Sequence, residues 1–341
     1  MTVSGLALLV VAGLTFLVVA GLLATPLLTR LAVRRAPAVG RFVTIDGVRL
    51  HLRNEGEGPT VVLIHGAKGS LYDNELELAP LLRSRYRVIT VDRPGSGYSE
   101  RVPHDCVSRG EGDSPRESGS PIAQADLLHE LLHELQAAPA IVLGHSAGAP
   151  VALALALRHP DDVAALVVAA GYTHAVRPLG APLARLLRAP VVGRLFRVAL
   201  LAPAVALVGP LVLRRIAAPE RAPRAYARAA LALNYDPERS AGDAEDVPAV
   251  ERDLRLLAPQ YRRITQPLIA VHGDLDRVLW PQQSERLVDA VPGAELRLIA
   301  GAGHLLPVTR AAELAAAVDD VAVRVRGHAA ASRALREDGH T

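Results

Sequence analysis

Ser146, Asp276 and His304 are of the residue types that together turn an alcohol into a nucleophile. A serine hydroxyl attacks poorly unless a base within hydrogen-bond reach takes its proton. Imidazole titrates near neutrality, so His304 suits that task and can then protonate a leaving group. A carboxylate such as Asp276 can fix the imidazole tautomer and stabilise the imidazolium. Their settings are telling. Ser146 is the centre of Gly144-His145-Ser146-Ala147-Gly148, a G-x-S-x-G pattern. Asp276 lies in His272-Gly273-Asp274-Leu275-Asp276, and His304 ends Ala302-Gly303-His304. Two alternatives stay open. The pattern at 144–148 also suits an ordinary strand-to-helix turn, and Asp274 is a rival for the acid.

The elements that must position these residues follow from the apolar pattern. Ala140-Ile141-Val142-Leu143 reads as a buried strand, and Val151–Arg158 as a helix. Strand, sharp turn and helix is the context that makes the pattern a nucleophile elbow, with Ser146 in a strained conformation and glycines where side chains find no room. Further buried strands are expected at Val61–Ile64, Arg87–Val91, Val163–Ala169, Leu268–Val271 and Glu295–Ile299, with helices between them. Asp46-Gly47 between two alternating segments signals a hairpin. Continuous apolar strands alternating with helices predict a mostly parallel sheet covered on both faces, where functional groups collect at the strands' carboxyl ends. From Thr173 to Thr265 the alternation stops in favour of a helical insertion, with Pro190, Pro203 and Pro210 expected to break it into short helices.

From about Gly40 to Val325 the chain resembles the α/β-hydrolase fold family, in its capped branch of esterases, haloperoxidases, epoxide hydrolases and dehalogenases. The resemblance rests on His65-Gly66, Asp92–Ser99, Gly144–Gly148, Gly273 with Asp276, and Gly303-His304, in that order. It implies Ser146 as nucleophile, His304 as base, Asp276 as acid, the backbone N–H groups of Ala67 and Ala147 as oxyanion donors, and a helical cap. Relatives that open epoxides or displace halide carry Asp at the elbow, so Ser146 argues against both activities. Where many relatives have Pro, this chain has Lys68. Asp92–Ser99 is expected to brace the elbow, His65 to shape its loop and His145 to pack.

Composition sets limits. The net charge is 38 − 35 = +3, too balanced to suggest nucleic acid. The single cysteine, Cys106, excludes an intrachain disulfide, and no Cys/His cluster has zinc spacing, so neither metal nor cofactor is expected. Lys68 is the only lysine, one position past Ala67, and with Tyr172 it is a candidate for contacting substrate. Thr2–Thr29 carries no charge and is long enough to span a bilayer. Arg30, Arg34, Arg35 and Arg41 follow it, which places the remainder on the cytoplasmic side. A cleaved signal peptide is the rival reading, but it wants basic residues before the apolar run, and none is there.

The expected organisation is a membrane anchor over 1–29, hydrolase core over 30–172 and 266–326, cap over 173–265, and a disordered tail over 327–341. The loop from Arg101 to Pro121 is expected to be mobile, with Cys106 a bystander. The expected activity is cleavage of a lipophilic acyl ester, a small molecule or lipid, at a membrane. The alternatives are another reaction of the same three groups (amide, lactone or C–C hydrolysis, acyl transfer, perhydrolysis) and a silent binding module.

Overall fold

The computed structural model describes residues 3–102, 118–176, 186–187, 189 and 191–338. Most of the Arg101–Pro121 loop, Cys106 included, lies outside them. The first helix, α1, spans Val3–Arg35. The hairpin follows, with β1 at Arg41–Ile45 and β2 at Val48–Glu55. Asp46 and Gly47 both take positive φ, 49° and 78°, as the tight turn between twisted strands requires.

Six further strands are β3 (Thr60–Ile64), β4 (Arg87–Val91), β5 (Ala140–His145), β6 (Val163–Ala169), β7 (Leu268–Gly273) and β8 (Glu295–Ile299). They form one sheet in the order β1-β2-β4-β3-β5-β6-β7-β8. Every pair from β4 onward is parallel, while β1 and β2 are antiparallel to their neighbours. The sheet is buried on both sides, hence its unbroken Val, Ile, Leu and Ala runs. On one face, Val62, Ile89 and Val142 pack with Leu127, Leu131 and Val151 from α2 (Pro121–Glu134) and α3 (Ala149–Arg158). On the other, Val61, Leu143 and Val167 pack with Leu78, Leu82, Leu314 and Val318.

The insertion is helical but, at Pro203 and Pro210, less broken than expected; Pro190 lies outside the described residues. Val192–Ala217 is one continuous helical run. Pro203 sits in the first turn of α4 (Ala202–Ala217), and a π-helical turn at Phe196–Leu201 immediately precedes it. A proline ring clashes with the carbonyl four residues back in a regular helix; the wider π turn moves that carbonyl aside. Pro210 lies inside α4 without ending it. Two more cap helices follow, α5 (Arg224–Leu233) and α6 (Pro237–Leu257), then α7 (Gln282–Ala290) in the returning core.

The ends of the chain depart from expectation. α1 continues through Arg35, and its later half packs on the cap. A side chain on Gly21 would meet the Ala199 carbonyl oxygen at 1.6 Å, so the two backbones touch. Ala32, Ala36, Ala202, Ala229 and Ala232 extend this seam of small residues. The last helix, α8, spans Ala311–Asp338 and so passes Gly327, where the sequence suggests an end. Ala329-Ala330-Ala331 carries it, because alanine is the strongest helix former.

Candidate active site

β5 ends at His145, and Ser146 opens a short 3₁₀ turn, Ser146–Gly148, that leads into α3. Ser146 takes φ +50°, a left-handed conformation that costs a non-glycine residue free energy. The flanking glycines make the turn possible through backbone contact. A Cβ on Gly144 would lie 2.6 Å from the Gly148 oxygen, and one on Gly148 would lie 2.5 Å from the Ile64 oxygen.

The three residues predicted from different parts of the chain meet at the carboxyl end of the sheet. His304 Nε2 is 3.0 Å from Ser146 Oγ, and His304 Nδ1 is 2.7 Å from Asp276 Oδ2. All three are buried. An imidazole facing the hydroxyl with a carboxylate behind it is an arrangement through which a serine proton can pass to imidazole. Asp274 is elsewhere, its Oδ1 accepting from the Gly301 N–H at 2.8 Å on the exposed side.

Asp276 is held firmly. Its Oδ1 accepts backbone N–H groups from Val278 at 2.7 Å and Leu279 at 3.0 Å. His272 Nε2 lies 3.2 Å from Oδ2. Burial alone would raise its carboxyl, but the hydrogen bonds from His272, His304 and Val278 outweigh burial and hold it well below the usual carboxylate range. It is therefore charged wherever the protein is folded near neutrality.

Ala67 follows the β3 terminus beside the elbow, since a Cβ on its neighbour Gly66 would stand 3.1 Å from the Ser146 Cβ. Ala147 opens the turn after Ser146, where the first N–H groups of a helical segment lack internal partners. Lys68 sits next to Ala67 with φ +54°, and its carbonyl accepts Asn234 Nδ2 of the cap at 3.0 Å. The Tyr172 N–H donates to the Ser146 carbonyl at 3.0 Å, and its hydroxyl donates to the Val176 carbonyl at 2.9 Å.

Asp92–Ser99 braces a different part of the site from the one expected. The Asp92 carboxylate accepts the N–H groups of Leu71 and Tyr98 and pairs with His51 Nδ1. Arg93 reaches the Gly66 carbonyl, and its N–H donates to His65 Nε2. The loop thus fixes residues 65–71 rather than the elbow. His145 does more than pack. Its Nε2 donates to the His304 carbonyl at 3.0 Å, tying the base to the elbow, and burial, followed by His304, pushes its imidazole down to about 3, so it stays neutral. His272 and His145 carried no motif of their own. The one available signal was position, since each sits at the carboxyl end of a predicted strand.

The cap meets the residues on either side of His304. A Cβ on Gly303 would stand 2.3 Å from the Ala218 oxygen. Glu220 accepts from the Gly303 N–H and the Thr309 hydroxyl, both at 3.0 Å, and pairs with Arg310.

Residues 59–311 match the family described as the alpha/beta hydrolase fold. A 2-hydroxymuconate semialdehyde hydrolase of Pseudomonas putida is 29% identical over 293 residues, covering 85% of this chain and 96% of the relative. Among solved structures, the enol-lactonase from Burkholderia xenovorans LB400 superposes with TM-score 0.64 at 24% identity, covering 83% of this chain and all (100%) of that one. A bacterial membrane phospholipase A superposes with TM-score 0.62 at 21% identity, covering 94% and 97%. With its eight-stranded sheet, its elbow at β5 and a match running from β3 to the start of α8, the chain belongs to the α/β-hydrolase fold family and is a hydrolase of that family.

Proposed function

We propose that this chain is a membrane-bound serine hydrolase of lipophilic acyl esters. Ser146 Oγ attacks the ester carbonyl while His304 Nε2 takes its proton. The oxyanion forms between the N–H groups of Ala67 and Ala147, each such donor being worth about 3–4 kcal/mol in related chemistry. His304 then protonates the departing alcohol, and an acyl-Ser146 ester remains. Water, deprotonated by the same imidazole, releases the acid and restores the hydroxyl. Asp276 holds the tautomer in which His304 Nε2 is free to accept. Lys68 and Tyr172 border the path of the substrate.

The observation that carries the lipid reading is an apolar surface running to the reactive end of the sheet. α1 and the Val192–Ala217 run are both long and apolar enough to cross a membrane. Their outward side chains are bare, with Phe16 71%, Leu23 74%, Leu207 82% and Leu211 66% exposed. Arg30, Arg34 and Arg35 lie in the last two turns of one helix, while Arg194 and Arg197 near the start of the other run and Arg214 and Arg215 near its end flank the apolar centre Leu200–Val208, a pattern of basic ends that suits an anionic bilayer surface. Ala217 is one residue from the Ala218 carbonyl that touches Gly303, beside His304. The end of this helix therefore packs beside the residue that precedes His304. In this reading α1 is an uncleaved anchor and the catalytic domain is cytoplasmic.

The test is detergent-solubilised full chain assayed on p-nitrophenyl esters of graded acyl length, with a fluorophosphonate probe beside it. Labelling lost in Ser146→Ala and turnover rising with acyl length are expected. No labelling of the wild type would favour a binding module. Faster turnover of an enol-lactone or of 2-hydroxymuconate semialdehyde than of any ester would favour the substrates for which the relatives are named.

A further inference from the structure

Far from the reactive end, a second group of titratable residues gathers on the outside of α2. His129 and His133 are four residues apart, so they share one face of that helix, one turn above the other. Asp162 reaches the same spot from the short turn Pro160–Asp162 that leads into β6. His129 Nδ1 meets Asp162 Oδ2, and His133 Nε2 lies 2.9 Å from Asp162 Oδ1. One donor atom from each of the three residues falls within 4.8 Å of the others. Two imidazoles thus converge on the two oxygens of one carboxylate.

We propose that His129, His133 and Asp162 form a binding site for a divalent transition ion of the zinc class. Imidazole with a carboxylate is the donor set such ions take, and two histidines four apart on a helix present nitrogens to one point. In a tetrahedral site with bonds of about 2.0–2.1 Å, neighbouring ligand atoms stand about 3.3 Å apart. Each histidine nitrogen is closer than that to an Asp162 oxygen, so an ion enters by small outward shifts of the imidazoles. His133 has room to move, its side chain being 57% exposed, while Asp162 is fixed at 7%. Solvent on the His133 side supplies the remaining ligand.

The surroundings hold the His129 ring in place. The His129 ring stacks on His159 with centroids 3.9 Å apart and planes 9° from parallel. His159 Nε2 in turn pairs with Asp126 Oδ1 at 2.8 Å, and Arg158 grips both Asp126 oxygens at 2.8 and 2.9 Å. Orientation of a ligand ring by fixed neighbours is what metal sites require of their supporting residues. The site lies where α3 ends, and α3 begins beside Ser146. Ten residues of helix separate them, about 15 Å at 1.5 Å per residue. The ion therefore touches no reacting atom. It clamps α2 to the turn after α3, the two helices that cover the elbow's side of the sheet. From the sequence the pair His129/His133 falls short of a ligand set, because its third member comes from beyond the elbow.

The test is calorimetric titration of untagged, chelator-treated full chain in detergent with zinc chloride, alongside cobalt(II) absorption spectra. The wild type should bind one zinc per chain and show a saturable rise in thermal midpoint. His133→Ala, on the exposed side of α2, should fold normally, lose at least tenfold in affinity, lose the midpoint rise and keep basal ester turnover. Asp162→Asn should behave likewise. Glu130→Gln, which removes a neighbouring carboxylate on the same helix, should leave affinity unchanged. If zinc binds the His133→Ala protein as tightly as the wild type, or the wild type takes up no stoichiometric zinc, the site is a hydrogen-bonded cluster and the proposal falls.

Discussion

Replacing Asp276 by Asn separates the role of its charge from that of its shape. Asp276 Oδ1 accepts two backbone N–H groups, from Val278 and Leu279, and Oδ2 faces His304 Nδ1 and His272 Nε2. An asparagine keeps its carbonyl where the two N–H groups demand an acceptor. Its NH₂ then points at His304 Nδ1, so that nitrogen must give up its hydrogen and become the acceptor. The proton moves to Nε2, which faces Ser146 Oγ at 3.0 Å and can no longer take the serine proton. The two backbone hydrogen bonds to the side-chain carbonyl are kept and the one from His272 Nε2 is lost, while the base is disabled. The expected loss in kcat is about 10⁴-fold by comparison with the same change in other such relays, or about 5 kcal/mol of transition-state stabilisation. Asp274→Asn retains an acceptor for the Gly301 N–H on an exposed loop and should change kcat by less than about twofold, as surface changes do. Steady-state hydrolysis of p-nitrophenyl butyrate by both variants decides the matter, with circular dichroism confirming that each is folded. A kcat for Asp276→Asn within tenfold of wild type, or a larger fall in Asp274→Asn, would refute the tautomer argument.

Ser146→Ala and His304→Ala should each remove nearly all turnover, and the double variant should be little worse, because the two act as one unit; multiplicative losses in single-turnover assays would separate them. Burial pushes the Asp73 carboxyl up to about 7, with the Ser70 N–H opposing and nearby Asp92 adding to the rise. The folded chain therefore keeps a proton that the unfolded chain releases near pH 4, and this group's contribution to stability falls as pH rises from about 4 to 7. Asp73→Asn should accordingly gain thermal midpoint over wild type at pH 8 and gain less or nothing at pH 5, read by scanning calorimetry at both. Gly21→Leu forces a side chain into the Ala199 backbone and should leave the cap more easily cut by protease, with a lower thermal midpoint, while the protein remains in the membrane fraction.

The core and the reactive residues were legible because local chemistry specifies them. A buried strand must be apolar throughout, a two-residue hairpin needs Asp-Gly, and an elbow needs glycines at Gly144 and Gly148 where backbones touch. What was hidden depends on contacts between distant segments. Nothing near Pro203 announces that a π turn ahead of it will let the helix continue. Nothing in the apolar run of Thr2–Thr29 or in the residues just after it distinguishes a helix that meets only lipid from one with Gly21 and Ala32 fitted to Ala199 and Ala202. His145 and His272 looked like ordinary strand-end residues, and their hold on His304 and Asp276 exists only once β5, β7 and the loop after β8 lie side by side. Asp92–Ser99 was legible as a brace, but the partner it braces was not, because residues 65–71 approach it from another strand.

The contact between Gly21 and Ala199 bears on the fate of the N-terminus. Two helices whose backbones touch, with no side chain between them, cannot slide past each other without breaking the fit. Ala199 and Ala202 are wholly buried beneath the partner helix. A peptidase that removed the first helix would strip the cap of this contact and leave the seam of small residues open to water. The leading segment is therefore part of the packed fold, and an enzyme cut after it also loses part of what its cap rests on.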